Sequence, residues 1–489
     1  MTELSSVIGV VFAIYLGLMI YIGVLASRHA HSPLDFFLGN RSLKAWVTAI
    51  SSTASSESAW AVLGTVGLAY QEGLSAAWFL PGCLLGYAIN WFFLAERLRR
   101  HSREHHSITI PDYLASLFPD NTRTIRLIAV AIIFACMMAY IAAQFTAIGK
   151  TFDSIFGIPY TVSIPVGAAI ILLYTALGGF LAVAWTDFIQ GLIMAGGLVV
   201  LALFALMELG GWSGMIEQVR QTAPELLTWT GGKTVPVFLG SAFGLLGIGL
   251  GYPGQPHVLN RYMAAKETKT IKQGTWIAMG WGFLIYTSAI VLGIAGRALV
   301  PNLEDPEYLF PVAAEMLLPT GLAAIILTGV LAAIMSTVSA QIIVATSAVA
   351  HDLFNQLLRR ELTHKQILLI SRVTVVLLGV GAMAVALTEV RVIFWFVLFA
   401  WSGLGASFGP LLLWTLYAKP ITRTAAVAAM LTGFLTTIIW KVSGLSESLI
   451  YELVPAFLLS FSVLWITMRK SENRIRDQES ERMSRFSDS

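Results

Sequence analysis

The chain has 489 residues, 56% of them hydrophobic and 12% charged, with a net charge of +3 and a mean hydropathy of +0.75. That balance excludes an ordinary soluble protein of this length, and so small a net charge gives no sign of a nucleic-acid partner. Apolar stretches of about 20 residues recur from end to end, each long enough to cross a hydrocarbon core of about 30 Å as a helix, so the lipid bilayer is the expected surrounding.

The first stretch, 5–26, has no basic region before it and no small-residue cleavage site after it, and reads as a retained helix rather than a signal peptide. Thirteen candidate spans follow one another, centred near residues 15, 58, 85, 137, 168, 194, 247, 285, 335, 377, 404, 432 and 457. The expected fold class is therefore an all-α polytopic membrane protein of about 13 transmembrane helices. Residues 1–468 form one transmembrane domain, and 469–489 form a charged, solvated cytoplasmic tail. If the N-terminus lies outside, 25 of the 31 Lys and Arg residues fall on the inner side, which supports both that orientation and the odd span count. The inner set includes Arg261 and its neighbours, read as a loop between spans 7 and 8. The expected location is a plasma membrane of the bacterial inner-membrane kind.

Two spans are unlike the rest. The second, 46–70, contains Ser51, Ser52, Thr53, Ser55, Ser56, Glu57 and Ser58 at bilayer depth, and the seventh packs Gly247, Gly249, Gly251, Pro253, Gly254 and Pro256 into ten residues. Unpaired backbone groups are tolerated at that depth only where they line an enclosed cavity. Two breaks five spans apart are the pattern of an inverted repeat, 45–208 and 235–417, with a binding site between the breaks.

Freed carbonyls at a break can hold a small cation, and a helix N-terminus beside them a carboxylate; 54–60 offers both. The ninth span adds Ala333, Ser336 and Thr337 on one helical face, although such hydroxyls commonly bond back to their own helix. Glu57 and Asp187 are the intramembrane carboxylates. The Glu57 side chain could pair with a cation, a proton or a substrate amine, and Asp187 could compensate a bound cation or mark an interfacial helix start. His257 reads as a satisfied structural histidine. Cys83 and Cys136 lie in apolar segments and read as packing residues. Gly249, Gly251 and Gly254 spell GxGxxG without the strand that dinucleotide binding needs, and His101, His105 and His106 lack a companion ligand set for a metal.

Four segments resemble the sodium:solute symporter family, most closely its sodium/proline branch: DFFLGNRSL at 35–43, GGFLAVAWTDFIQ at 178–190, GLGYPGQPH at 249–257 and LAAIMSTVS at 331–339. The resemblance implies a LeuT-like five-plus-five inverted repeat with broken helices 2 and 7, one extra helix in front and two behind. It implies sodium held by the carbonyls of Ala54, Glu57 and Ala333 and the hydroxyls of Ser336 and Thr337, with Asp187 on the ion pathway. Substrate would lie against Ser58, Ala59, Trp60, Tyr140, Tyr252, Gln255 and Pro256. Two positions depart from the proline branch: Ser56 stands where an aspartate is usual, with the acid displaced to Glu57, and Ile248 stands where a tryptophan is usual.

The expected function is secondary active transport: sodium-coupled symport of a small organic solute, proline or a related amino acid, with sodium as co-transported ion and no cofactor. The alternatives are a sodium- or proton-coupled symporter of another small carboxylate or amino acid, and, less favoured, an ion channel or a transporter-like membrane sensor. A channel would need a continuous polar stripe, a sensor a cytoplasmic signalling domain, and a membrane enzyme clustered His, Asp or Glu within the spans.

Overall fold

The computed structural model describes residues 3–28, 32–118, 122–357, 363–388, 393–418 and 421–487; Arg359, Arg360, Arg391 and Lys419 of the basic set counted above lie outside them. Among the described residues every regular element is a helix, and the only β contact is an isolated parallel bridge between Leu43 and Ala265.

Eleven described segments are long and apolar enough to cross a bilayer. One of them, Ala45–Glu104, has 60 residues, about 90 Å if it ran straight, and the 3-10 turn Gly73–Trp78 folds it into spans 2 and 3. The helix Tyr160–Glu208, 49 residues long, turns at Gly179 (φ 64°, ψ −177°), which separates spans 5 and 6. That conformation suits glycine, and a Cβ there would meet the Phe36 ring at 3.1 Å. The ninth and eleventh spans are buried along most of their length, whereas the first packs on the outside against spans 6 and 9. The final helix, Leu453–Ser487, continues through 469–487, so the backbone of the expected tail is helical there.

Both anomalous spans are broken. The second runs as helix from Ala45 to Ala59 except at Ser58, whose backbone (φ 45°, ψ −157°) lies outside every helical region, and resumes with a π-turn over Trp60–Gly64. Positive φ at a non-glycine costs on the order of 1–3 kcal/mol and persists only where the surroundings enforce it. The seventh is α-helical over Val235–Gly247, tightens into a 3-10 turn over Ile248–Gly254, extends at Gln255 and restarts as Pro256–Met263. Its glycines also serve packing: a Cβ on Gly249 would meet the Gly82 carbonyl at 2.0 Å, and one on Gly251 the Trp401 indole nitrogen at 1.9 Å. The break is thereby pressed against spans 3 and 11.

Candidate functional site

The polar run of the second span is buried throughout. Most of its hydroxyls satisfy their own helix: Ser52 donates to the Ala49 carbonyl at 2.9 Å, Thr53 to Ala49 at 3.0 Å, Ser55 to Ser52 at 3.3 Å and Ser56 to Thr53 at 2.7 Å. Ser51 accepts from Arg261 Nε at 3.1 Å. Ser58, at the break, is the exception, since its Oγ has no hydrogen-bond partner. Tyr140 OH and Gln255 Oε1 likewise make no hydrogen bond of good geometry, and the His257 ring is fully buried. The Tyr140 hydroxyl lies by the side chains of Ser58 and Trp60, and its ring meets His257 edge-on at 5.8 Å. Ser58 Oγ, Tyr140 OH and Gln255 Oε1 lie at or beside the two breaks, where a polar ligand would find a donor or an acceptor.

The freed carbonyls of the seventh span are capped. Trp401 Nε1 donates to the Ile248 carbonyl at 3.1 Å, Gln255 Nε2 to Gly251 at 3.1 Å and Asn90 Nδ2 to Tyr252 at 3.0 Å. Tyr252 and Trp401 pack edge to face at 4.7 Å, and Pro256 opens the restarted helix. On the ninth span Ser336 and Thr337 both donate to the Ala333 carbonyl, at 2.8 and 3.3 Å. That span packs against the second. A hydroxyl that donates its proton to a carbonyl keeps its lone pairs for a cation, so the back-bonding is compatible with a ligand role.

The two ends of the bundle differ. At the basic end, Leu43 N–H donates to the Ala264 carbonyl at 3.2 Å and Lys266 N–H to Leu43 at 3.0 Å, while Arg103 donates to the carbonyls of Ala265 and Lys266 at 3.0 and 2.9 Å. Arg41 donates to the Ser102 and Ser107 carbonyls at 3.1 and 2.8 Å. At the opposite end a cavity of about 670 Å³ opens between Gly64, Gly67, Lys150, Asp305, Glu307 and Phe394. Phe394 touches the Trp60 ring at a centroid distance of 6.1 Å. Inter-segment hydrogen bonds tie the basic end together, and the cavity lies at the other.

Residues 36–433 match the sequence pattern of the sodium:solute symporter family. The chain is 35% identical over 468 residues to the high-affinity proline transporter PutP of Bacillus subtilis, covering 94% of this chain and 98% of that one. This chain belongs to the sodium:solute symporter family. The symporter is also 35% identical over 464 residues to the sodium/proline symporter of Escherichia coli, covering 93% and 91% of the two chains. Its fold matches that of a Na+-coupled sialic acid symporter, solved in a substrate-bound outward-open state, with a TM-score of 0.77 at 20% identity over 94% of this chain and 97% of that one. The likeness bears out the LeuT-like architecture expected above.

Not every expected residue of the symporter stands as the sequence suggested. Asp187 lies inside the sixth span rather than at a helix start, with its Oδ2 2.6 Å from Arg261 and 3.4 Å from Ser51 Oγ. Arg261 is not a loop residue: it sits in the restarted half of span 7, is 1% exposed, and also donates to the His257 carbonyl. The signal was its position one helical turn beyond His257. His257 is fully buried, with its ring edge-on to Tyr140. The Glu57 carboxylate accepts from Tyr87 OH and Trp281 Nε1, both at 2.8 Å. Tyr87, Tyr286 and Trp281 carried no sequence signal, because one aromatic in an apolar span resembles any other.

Proposed function

We propose that the protein is a sodium-coupled symporter of a small organic solute, proline or a closely related amino acid, working by alternating access across a bacterial plasma membrane. Thirteen spans, the N-terminus outside and the basic end in the cytoplasm complete the reading, with 1–468 as the transport domain. The carbonyls of Ala54, Glu57 and Ala333 and the hydroxyls of Ser336 and Thr337 hold sodium. Ser58, Ala59, Trp60, Tyr140, Tyr252, Gln255 and Pro256 hold the solute. Asp187, released from Arg261 when the cytoplasmic side parts, assists sodium exit.

The observation that carries the reading is the set of buried, partnerless polar atoms on Ser58, Tyr140 and Gln255 beside two helix breaks. The names of the relatives favour sodium and proline as the pair. Sodium at the second and ninth spans stabilises the outward-facing arrangement and orders the break that receives the solute. A coupling ion shifts such an equilibrium only through its different affinities for the two states, and the effect is reciprocal between ion and solute.

The test is uptake of labelled L-proline by proteoliposomes under a sodium or a choline gradient. Competitors are other amino acids, short carboxylates and sugars. Sodium-dependent uptake and a severalfold gain in solute affinity with sodium are expected. Equal uptake in choline rejects sodium coupling, and a competitor outranking proline reassigns the solute.

A further inference from the structure

The two ends of Glu57 face different surroundings. Its backbone carbonyl belongs to the proposed sodium cage, whereas its carboxylate is fully buried among spans 3 and 8, held by Tyr87 OH and Trp281 Nε1. Both donors are neutral, and among the described residues no Lys, Arg or His lies within ion-pair distance of it. Of the other buried acids, Asp187, Glu307 and Asp352 each have a basic partner, whereas Glu452, like Glu57, has none within ion-pair distance among the described residues. An ionised carboxylate without one is strongly disfavoured in an apolar interior. A carboxylate offers about four acceptor positions, of which two are used here.

What surrounds it suits a cation. Tyr87, Tyr252 and Tyr286 form an aromatic wall, with centroids 4.9 Å apart for Tyr87 and Tyr252 and 6.2 Å for Tyr87 and Tyr286. Their hydroxyls run from the carboxylate as a chain, Glu57 to Tyr87 at 2.8 Å, Tyr87 to Tyr286 at 3.4 Å and Tyr286 to Tyr252 at 2.8 Å. Ring faces attract an ammonium group and do nothing for an unaccompanied anion. The same rings lead outward: Tyr286 lies 5.9 Å from Trp60, and Trp60 lies against Phe394 at the wall of the outer cavity. The next residue in the chain, Ser58, presents the partnerless hydroxyl of the solute site.

We propose that the Glu57 carboxylate receives the ammonium group of the solute, so that the transporter selects compact amine-bearing zwitterions over isosteres lacking that charge. The assignment rests on the symport reading and adds a residue and a substrate class to it. An ammonium whose charge is spread over adjoining methylene groups fits one carboxylate and aromatic walls. A bare sodium ion, which wants an oxygen shell, fits the carbonyl and hydroxyl cage on the other side of the helix. In this structure the carboxylate is fully buried, so entry requires the surrounding side chains to part.

The experiment compares L-proline with tetrahydrofuran-2-carboxylate, in which a ring oxygen replaces the charged nitrogen, as competitors of labelled L-proline in proteoliposomes. Wild type should favour proline by roughly tenfold or more, since a site built for a charged donor rejects an analogue lacking it. Glu57→Gln should erase most of that preference, and its uptake should still depend on sodium, because the backbone carbonyl remains. Glu57→Asp, which keeps the charge, should retain the preference at weaker affinity and guards against a folding defect in the glutamine variant. A wild type that does not discriminate between the two, including one that takes neither, overturns the proposal. So does a Glu57→Gln protein with the preference intact. Loss of sodium dependence in wild type with the preference preserved would refute the symport reading and leave the ammonium site standing.

Discussion

Ser336 and Thr337 illustrate how far a single residue could be read. Their i, i+3, i+4 relation to Ala333 put the three on one face, and the structure has both hydroxyls donating to the Ala333 carbonyl. If their lone pairs complete the sodium shell, replacing both with alanine removes two ligands without leaving a buried donor unpaired. The sodium concentration for half-maximal uptake should then rise at least about tenfold, roughly 1.4 kcal/mol of binding, with solute affinity at saturating sodium little changed. Uptake with unaltered sodium dependence would move the ion elsewhere. Side-chain direction was the illegible part at this scale. Glu57 stood out as a carboxylate in a polar run, but which neighbour it faced depended on the distortion at Ser58, one residue on, and on aromatics supplied by spans 3 and 8. Asp187 and Arg261 are 74 positions apart, a pairing no local pattern encodes.

Elements were legible where their chemistry is local. Glycine and proline density announced the break in span 7, and hydroxyl density the one in span 2. The clasp beside the short helix Ile110–Ser116 was not. Read along the chain, His, Asp and Glu look scattered, yet the fold brings Asp112, His351 and Asp352 within 4.8 Å of one another. Arg126 binds Asp112 at 3.0 Å and Asp352 at 2.5 Å, and Thr109, which caps the helix, donates to Asp352 at 2.8 Å. Seven residues make a helix too short to persist alone, so these tethers to spans 4 and 9 hold it. Burial pushes the Asp112 carboxyl up, but the His351 imidazole 3.7 Å away and the charge of Arg126 outweigh it and hold the group at about 2. A carboxylate depressed in the folded state stabilises it above its unfolded pKa near 4, and that contribution fades as pH falls toward 2. Asp112 is 16% exposed, and a shift of this size corresponds to about 2 kcal/mol. Asp112→Asn should therefore lower thermal stability in detergent at pH 7, and its deficit against wild type should shrink below pH 4. A deficit that stays constant with pH would mean that the carboxylate charge does not hold the clasp.

For the whole molecule, the asymmetry between the ends is the consequence of the separate breaks and pairs. The Asp187–Arg261 pair, the Leu43–Ala265 bridge and the Arg103 contacts all lie at the end that the loop charges assign to the cytoplasm, while the cavity beside Phe394 lies at the other. Composition made the all-helical, membrane-spanning character of the chain legible. It could not say that Leu43 pairs with Ala265, because that contact joins two connecting segments more than 200 residues apart. If transport requires this seam to part, joining it covalently should stop the cycle at one stage only. Leu43 and Ala265 face each other across a β-bridge, and replacing the native Cys83 and Cys136 by serine leaves the introduced pair as the only thiols in the chain. Under oxidation, Leu43→Cys/Ala265→Cys should lose uptake yet still bind labelled solute from outside in a sodium-dependent way, and a reductant should restore uptake to near its starting rate. Each single-cysteine variant should be indifferent to both reagents. Undiminished uptake by the cross-linked protein would show that the solute leaves by a route that does not pass between these segments, and the seam would then be a structural tie rather than a gate.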